Sequence, residues 1–339
     1  VASEHDDIED FDDDWESAEH AGSHFPVMLK EAVELLNIQS GKIYVDATAG
    51  AGGHLCEIAK LAGSESRVFG FDRDTTAIEN LTNIVPNNVK LIHSNYSLLK
   101  ERLSEEGVNT VDGGILADLG VSSMQIDDAA RGFSFLRDGP LDMRMDPTQS
   151  TTAAYLVNTL PERDLADIIY KFGEERHSKK VAKSIVQNRP FETTGKLADV
   201  VSRTLNKFQK RGRNRSKPYG SGFQVTKHPA TRTFQALRIA VNTELESLEK
   251  FLDEAVSLLE PGARLVIISF HSLEDRIVKQ FLKSKASPCI CPPRQPLCTC
   301  NKKSELLIIT RKPVVADEQE LLANIRSRSA KLRAGEKVR

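Results

Sequence analysis

Asp118 stands where chemistry is expected. It closes an apolar run in Ala117-Asp118-Leu119-Gly120-Val121-Ser122-Ser123, the pattern of a buried strand giving way to a polar turn. In open parallel sheets ligands bind beyond the carboxyl ends of the strands, so Asp118 is expected to face a site. An exocyclic base amine is a poor nucleophile because its lone pair is delocalised into the ring. A carboxylate that accepts its N–H favours the hybridisation that frees the pair and helps carry off the proton after attack. Capping the next turn is the plainer role for the same residue. Phe270 and His271 end a later apolar run. Phe270 can stack on a base, and His271 can bond it, relay a proton or cap a helix.

A second constellation points to a cofactor. Tyr44-Val-Asp-Ala-Thr-Ala-Gly-Ala-Gly-Gly-His54 reads as strand, glycine-rich turn and helix start. Gly50, Gly52 and Gly53 suit a sharp turn that a ligand approaches closely. The next strand ends at Asp72, 22 residues after Gly50, where an acid can accept hydrogen bonds from two ribose hydroxyls. A nicotinamide dinucleotide uses similar geometry, but G-x-G-x-x-G begun at Gly50 needs glycine at 55, and Leu55 stands there. Such a cofactor also needs a bare helix N-terminus for its pyrophosphate. S-adenosyl-L-methionine carries no phosphate, and the turn suits it better.

These residues need a scaffold, and the apolar periodicity supplies one. Strands are expected at 43–47, 67–71, 89–93, 114–119, 264–270 and 306–311, separated by helices at 31–36, 54–61, 75–83, 98–106, 244–259 and 273–283. Repeated βα units imply an α/β fold, a mostly parallel sheet with helices on both faces. Between about 127 and 228 strands vanish and helical segments follow at 153–156, 162–172, 178–187 and 196–206. This reads as an inserted all-helical domain, because the βα pattern resumes after it. The expected division is an acidic tail over 1–23, a discontinuous sheet domain over 24–126 and 229–335, and the insertion over 127–228.

Charge is unevenly spread. The net charge of −2 includes ten acids and no Lys or Arg within residues 1–19; without those ten, 46 basic residues face 38 acidic ones. The acidic stretch suits a solvated, disordered tail, and the basic body suits a polyanionic partner. Residues 207–217 hold six basic side chains in eleven, the composition of a mobile loop or a phosphate-contacting arm. Arg326, Arg328, Lys331 and Arg333 form a basic C-terminal stretch, and Arg232, Arg238 and Asn242 share a helical face. Both groups suit RNA contacts or structural pairing. The acids and Arg144 of 138–146 suit either a substrate pocket or an ion-pair network. No apolar run is long enough for a membrane span, and the acidic N-terminus is unlike a signal or transit peptide as it stands. Five cysteines, four of them in Cys289-Ile-Cys291 and Cys298-Thr-Cys300, argue against a secreted disulfide scaffold. The four clustered thiols leave two readings, a zinc site or a reduced loop.

The chain resembles the RsmH (MraW) family of 16S rRNA (cytosine-N4)-methyltransferases. The matching segments include 24–28, 44–54, 118–123, 131–135, 138–146, 170–176, 228–242, 269–279 and 326–333, so they extend over nearly everything from residue 24 to 335. The resemblance implies a Rossmann-like class I methyltransferase fold with a helical insertion for substrate recognition. It implies S-adenosyl-L-methionine contacts at Gly52, Gly53, His54, Asp72, Tyr96, Asp118 and Gln125, with Tyr96 against the adenine; Asp118 and His271, from their places at strand ends, are the catalytic candidates. The implied partner is rRNA of an assembled or late-assembling small subunit, in a bacterial cytoplasm or an organelle of bacterial descent, with a second copy of the chain allowed. Two rivals remain: a DNA amine methyltransferase, whose usual Asp/Asn-Pro-Pro-aromatic motif is missing at Asp118, and an rRNA-binding assembly factor without catalysis.

Overall fold

Three apolar runs that each end in aspartate build the middle of the sheet. They are β1 (Ile43–Asp46), β2 (Arg67–Asp72) and, after β3 (Val89–His93), β4 (Gly114–Asp118). The sheet is completed by β5 (Arg264–Ser269), β6 (Leu306–Ile308) and β7 (Lys331–Lys337), in the order β3-β2-β1-β4-β5-β7-β6. Strands β1 to β5 are parallel and β7 runs antiparallel to both its neighbours. The computed structural model describes residues 26–212, 228–291, 295 and 299–338. The acidic segment 1–23, the basic residues 213–217 and Cys298 lie outside the described residues.

Helices cover both faces, as the βα pattern requires. On one face α1 (Leu29–Leu36), α2 (Gly53–Ala62) and α3 (Thr75–Leu81) bury Leu36, Leu55, Ile58 and Leu81 against Tyr44, Val68, Leu116 and Val266. On the other, α4 (Leu99–Glu105) contributes Leu99 and Leu103 to a core with Val45, Phe69, Phe71, Ile115 and Leu265. The short α5 (Ser123–Asp127) follows β4. Then come α6 (Ala153–Thr159), α7 (Glu162–Gly173), α8 (Ser178–Gln187), α9 (Thr194–Gly212) and α10 (Thr231–Asn242), which share a separate apolar core. The chain returns to the sheet through α11 (Glu244–Leu258) and α12 (Ser272–Ala286), and α13 (Glu318–Ala323) precedes β7.

Three features differ from the sequence reading. The basic stretch at 326–333 is not a surface element: Lys331 begins β7, which lies between β5 and β6 with Leu332 and Ala334 buried. Three of its four cations are paired internally, Lys331 and Arg333 with Asp275 of α12 and Arg326 with Asp127, while Arg328 stays exposed. Helix α9 runs on to Gly212, so the first half of the basic segment is helical. And α10, grouped by sequence with the sheet, sends Phe234, Leu237 and Val241 into the helical core. Arg238 and Asn242 then act as pins. Arg238 forks onto both carboxylate oxygens of Glu244 at 2.9 and 2.8 Å, and Asn242 bonds the Met145 N–H and the Met143 carbonyl.

Candidate active site

Strand order reverses between β1 and β4, and the carboxyl ends of these strands open onto a cavity of about 420 Å³. Such a crevice at a topological switch point is where open α/β sheets bind ligands, and the volume suits a nucleoside-sized molecule. Asp72 and Asp118 line it, and Asp46, the third strand-end aspartate, is buried behind them. Asp72 accepts the Gly50 N–H and the Asp74 N–H, each at 2.8 Å, which ties the glycine turn to the second strand. Asp46 accepts the Thr48 N–H at 3.0 Å, and the Thr48 hydroxyl accepts the Asp118 N–H at 2.6 Å. The turn after β1 thus fixes the end of β4.

Crowding and burial push all three carboxyls up. Burial is the first cause for each. Asp46 is raised to about 7, with the charge of Asp72 adding to the effect. Asp72 is raised by burial too, with the Asp74 and Gly50 N–H groups opposing it. Asp118 lies well above the carboxylate range, through burial and then the charges of Asp46, Glu274 and Glu320. Its Oδ1, like Oδ2 of Asp46, is buried with no hydrogen-bond partner among the described residues. Orphaned buried acceptors of this kind mark an unfinished site. A cationic ligand carrying N–H donors fits it; a pyrophosphate does not. Pro26 closes the second route for a dinucleotide, since a Cβ on Gly53, at the start of α2, would lie 2.8 Å from the proline ring.

The expected cofactor residues mostly converge here. Gly53, His54, Asp72, Tyr96, Asp118 and Gln125 line the cavity. Nε2 of His54 bonds the Val27 carbonyl at 3.1 Å, and Nδ1 faces Asp118 Oδ2 at 3.9 Å. Burial lowers its pKa to about 4, so the ring is neutral and Nδ1 is an acceptor. Tyr96 packs edge-on against Phe251 with centroids 5.1 Å apart, and burial pushes its phenol far up.

Gln125 is largely committed elsewhere. Its Oε1 accepts the Ser122 N–H in a capping box, and its Nε2 donates to Asp74 at 2.7 Å. Gly52 is absent from the cavity lining: its φ is 89°, and a Cβ would meet Leu81 at 2.4 Å, so glycine serves packing there rather than ligand approach.

His271 is also placed apart from the cavity. It caps α12, with Nδ1 accepting the Glu274 N–H and Nε2 3.1 Å from Glu274 Oε1. Burial alone would raise Glu274, but its bond to His271 and the Arg238 charge hold it below the ordinary range. Within 138–146 an internal network prevails. Arg144 forks onto Asp142, Asp138 accepts the Gly195 N–H, and only Met145 reaches the cavity.

Several contributors escaped the sequence reading. Asp46 carries the same strand-end signal as Asp72 and Asp118, and the repetition across Ile-Tyr-Val-Asp, Phe-Gly-Phe-Asp and Ile-Leu-Ala-Asp was the available clue. Asp74 accepts from both Gln125 and Arg131 at 2.7 Å, and Arg131 also donates to the Arg144 and Met145 carbonyls. This knot locks the segment entering the helical part onto the cavity wall. Arg326 lines the cavity and pairs with Asp127 at 2.8 and 2.9 Å. Partners distant in sequence left no local signal for either cluster.

A seven-stranded sheet in this order, its last inserted strand antiparallel, with a strand-end acidic cavity at the switch point, defines a Rossmann-like class I methyltransferase. The model of the MraW methylase family matches residues 21–338, and the chain belongs to that family. It is 47% identical over 322 residues to the ribosomal RNA small subunit methyltransferase H of Carboxydothermus hydrogenoformans, across 93% of this chain and 98% of that protein. To the protein of the same name from Geotalea uraniireducens it is 48% identical over 321 residues, again 93% and 98%. An rRNA methylase from Streptococcus thermophilus of known structure aligns with 94% of this chain and 100% of its own, at 13% identity and a TM-score of 0.38.

Proposed function

We propose that this chain transfers a methyl group from S-adenosyl-L-methionine to the exocyclic N4 amine of a cytidine in small-subunit rRNA. The observation that carries the reading is the buried, unpartnered Oδ1 of Asp118 at the carboxyl end of β4, in the wall of the acidic cavity. Bound there, S-adenosyl-L-methionine supplies an electrophilic methyl on a sulfonium. Asp72 offers its remaining lone pairs to the ribose, and Tyr96 offers its ring to the adenine. The acidic floor favours the sulfonium and ammonium charges, and those charges ionise Asp118 in turn. The ionised carboxylate accepts an N–H of the amine, holds it in line with the methyl, and takes the proton as the N–C bond forms and the S–C bond breaks.

A second cleft of about 780 Å³ adjoins the first and shares Thr231, Gln235, Phe270 and Ser329 with it. Arg176, Arg232, Arg328 and Lys331 line it. It is our route for the rRNA, with the flipped base entering past Phe270, which lies 3.8 Å from a Cβ built on Gly120 of the loop after β4. His271, in this cleft, is assigned to holding that entrance rather than to proton transfer. The end of α7 with residues 174–177, Leu205 of α9 and the start of α10 form the cleft's other wall, which makes the helical part that they belong to the substrate-recognition part. On this reading the protein works where bacterial-type small subunits mature, in a bacterial cytoplasm or an organelle of bacterial descent.

The test is methyl incorporation by the wild type and Asp118→Asn, offered small subunits, free small-subunit rRNA and duplex DNA, with the product located by mass spectrometry. We expect N4-methylcytidine in the small subunit and a loss of about 10²–10⁴ in turnover for Asp118→Asn, with the cofactor still bound. Unchanged turnover in that variant, or label in DNA alone, would overturn the reading.

A further inference from the structure

The segment joining α12 to β6 holds a cluster that methyl transfer does not use. The sulfurs of Cys289, Cys291 and Cys300 lie within 4.8 Å of one another. Those of Cys289 and Cys300 are 3.7 Å apart. A disulfide needs about 2.05 Å. A tetrahedral Zn²⁺ with Zn–S bonds of about 2.3 Å sets its sulfurs about 3.8 Å apart, because the edge of a tetrahedron is about 1.6 times its centre-to-corner distance. The observed separation therefore matches two corners of a zinc–thiolate tetrahedron.

The backbone around the sulfurs is arranged in the same sense. The Cys291 N–H points at Cys289 Sγ (3.3 Å) and the Ile290 N–H at Cys300 Sγ (3.5 Å). Donors aimed at sulfur favour the thiolate, the form that binds metal. The strand-like C-x-C spacing brings Cys289 and Cys291 to one centre because the chain bends between them. Ser287 supports the bend by donating its hydroxyl to the Cys289 carbonyl at 2.7 Å. Further contacts moor the segment to the end of α12: the Lys302 ammonium bonds the Ser284 carbonyl, and the Ser304 hydroxyl bonds that of Ala286 at 2.9 Å. All three thiols are partly buried, which suits a closed structural site rather than a reactive surface thiol.

We propose that Cys289, Cys291 and Cys300 bind one Zn²⁺ as thiolates, and that this ion fastens the α12–β6 connection at the edge of the sheet. Cys298 lies outside the described residues, and the fourth corner is left to experiment. The ion would be remote from methyl transfer. The 15 residues of α12 separate this segment from the cavity, about 22 Å at 1.5 Å per residue. Zinc removal should therefore loosen the edge without emptying the cofactor site.

The test uses the full chain, purified under reducing conditions without a metal-binding tag. Elemental analysis should find about one zinc per chain, as a structural site of this affinity retains its ion through purification. Cys289→Ser/Cys291→Ser/Cys300→Ser should lower that at least tenfold. Co²⁺ in place of zinc should give the sulfur-to-cobalt charge-transfer bands and visible transitions of a tetrahedral thiolate site. Limited proteolysis between residues 287 and 305 should quicken on chelation, with S-adenosylmethionine affinity unchanged within twofold. The Co²⁺ spectrum of the wild type decides the matter even if the triple variant folds poorly. Zinc-free protein whose Co²⁺ titration stays colourless, or a Cys289–Cys300 disulfide as the resting state in mass spectra, would overturn the proposal.

Discussion

Replacing Asp46 with Asn tests whether the acidic floor is tuned to a cation. Asp46 is buried beneath the glycine turn with its carboxyl raised to about 7, first by burial and then by the Asp72 charge. The substitution keeps the shape and the acceptor for the Thr48 N–H. In the unliganded wild type about ten-elevenths of Asp46 is protonated at about pH 6 and about one-eleventh at about pH 8. A cationic ligand that pulls this pKa well below 6 binds with an affinity proportional to the ionised fraction of Asp46. Affinity for S-adenosylmethionine should thus rise about tenfold more between those pH values in the wild type than in Asp46→Asn, or about 1.4 kcal/mol. Any titration of the ligand's own amine cancels in that comparison. Calorimetry at about pH 7 in buffers of different ionisation enthalpy should also show about half a proton more released by the wild type.

Unliganded stability must move the other way. A raised carboxyl stabilises the fold fully below its unfolded value of 3.8, and that contribution is lost as pH climbs through about 7. The wild type should lose about 1.4 kcal/mol relative to Asp46→Asn over the same interval. Parallel pH profiles for the two proteins, in binding and in unfolding, would refute the reasoning.

Other perturbations separate packing from chemistry. Gly52→Ala should destabilise by about 2–4 kcal/mol in thermal or denaturant unfolding, since a Cβ would meet Leu81 at 2.4 Å on backbone with φ 89°. Gly50→Ala, with no neighbour closer than 3.8 Å but φ 51°, should lose only about 1–2 kcal/mol; equal losses would contradict the packing argument. Arg131→Ala leaves the buried Asp74 carboxylate with the Gln125 amide and the Thr76 N–H but no opposite charge, and frees two carbonyls, so a loss of about 2–4 kcal/mol is expected, and one below about 1 would show that the knot is not structural. The His54 ring should titrate near 4, with its stability contribution intact above 6.5 and lost as pH falls through about 4; an NMR inflection at the ordinary histidine value would contradict its buried, neutral state.

The sheet was legible because burial on both faces leaves nearly continuous apolar runs in parallel strands. Residues 43–46, 67–72, 114–118 and 264–269 all carry that mark. Strand β7 does not. Lys-Leu-Arg-Ala-Gly-Glu-Lys has charges at four of seven positions, yet five of its residues are buried. The charges are tolerated because each finds a partner only tertiary structure supplies: Arg333 and Lys331 at Asp275, Glu336 at Arg264, Lys337 at the Val256 carbonyl. Basic residues are evidence for RNA contact only after internal pairing is subtracted; Arg232 goes with Glu175, and among the described residues the subtraction leaves Arg176 and Arg328 beside the second cleft.

The site divides along the same line. Asp72 and Asp118 could be placed because strand ends in a parallel sheet share one edge, a consequence of topology alone. What topology does not reveal is competition for a side chain's hydrogen bonds. Gln125 and His271 sit at the right edge, but each is the first turn's cap for its own helix, with Ser122 and Glu274 as reciprocal partners. Asp46, by contrast with Gln125, retains an oxygen that nothing among the described residues satisfies. The distinction has a functional consequence. Three carboxyls brought together and buried by the sheet hold their protons until a cation arrives, so a sulfonium ionises them and gains their charge while a neutral thioether does so less. Product release is then built into the same charges that favour substrate binding.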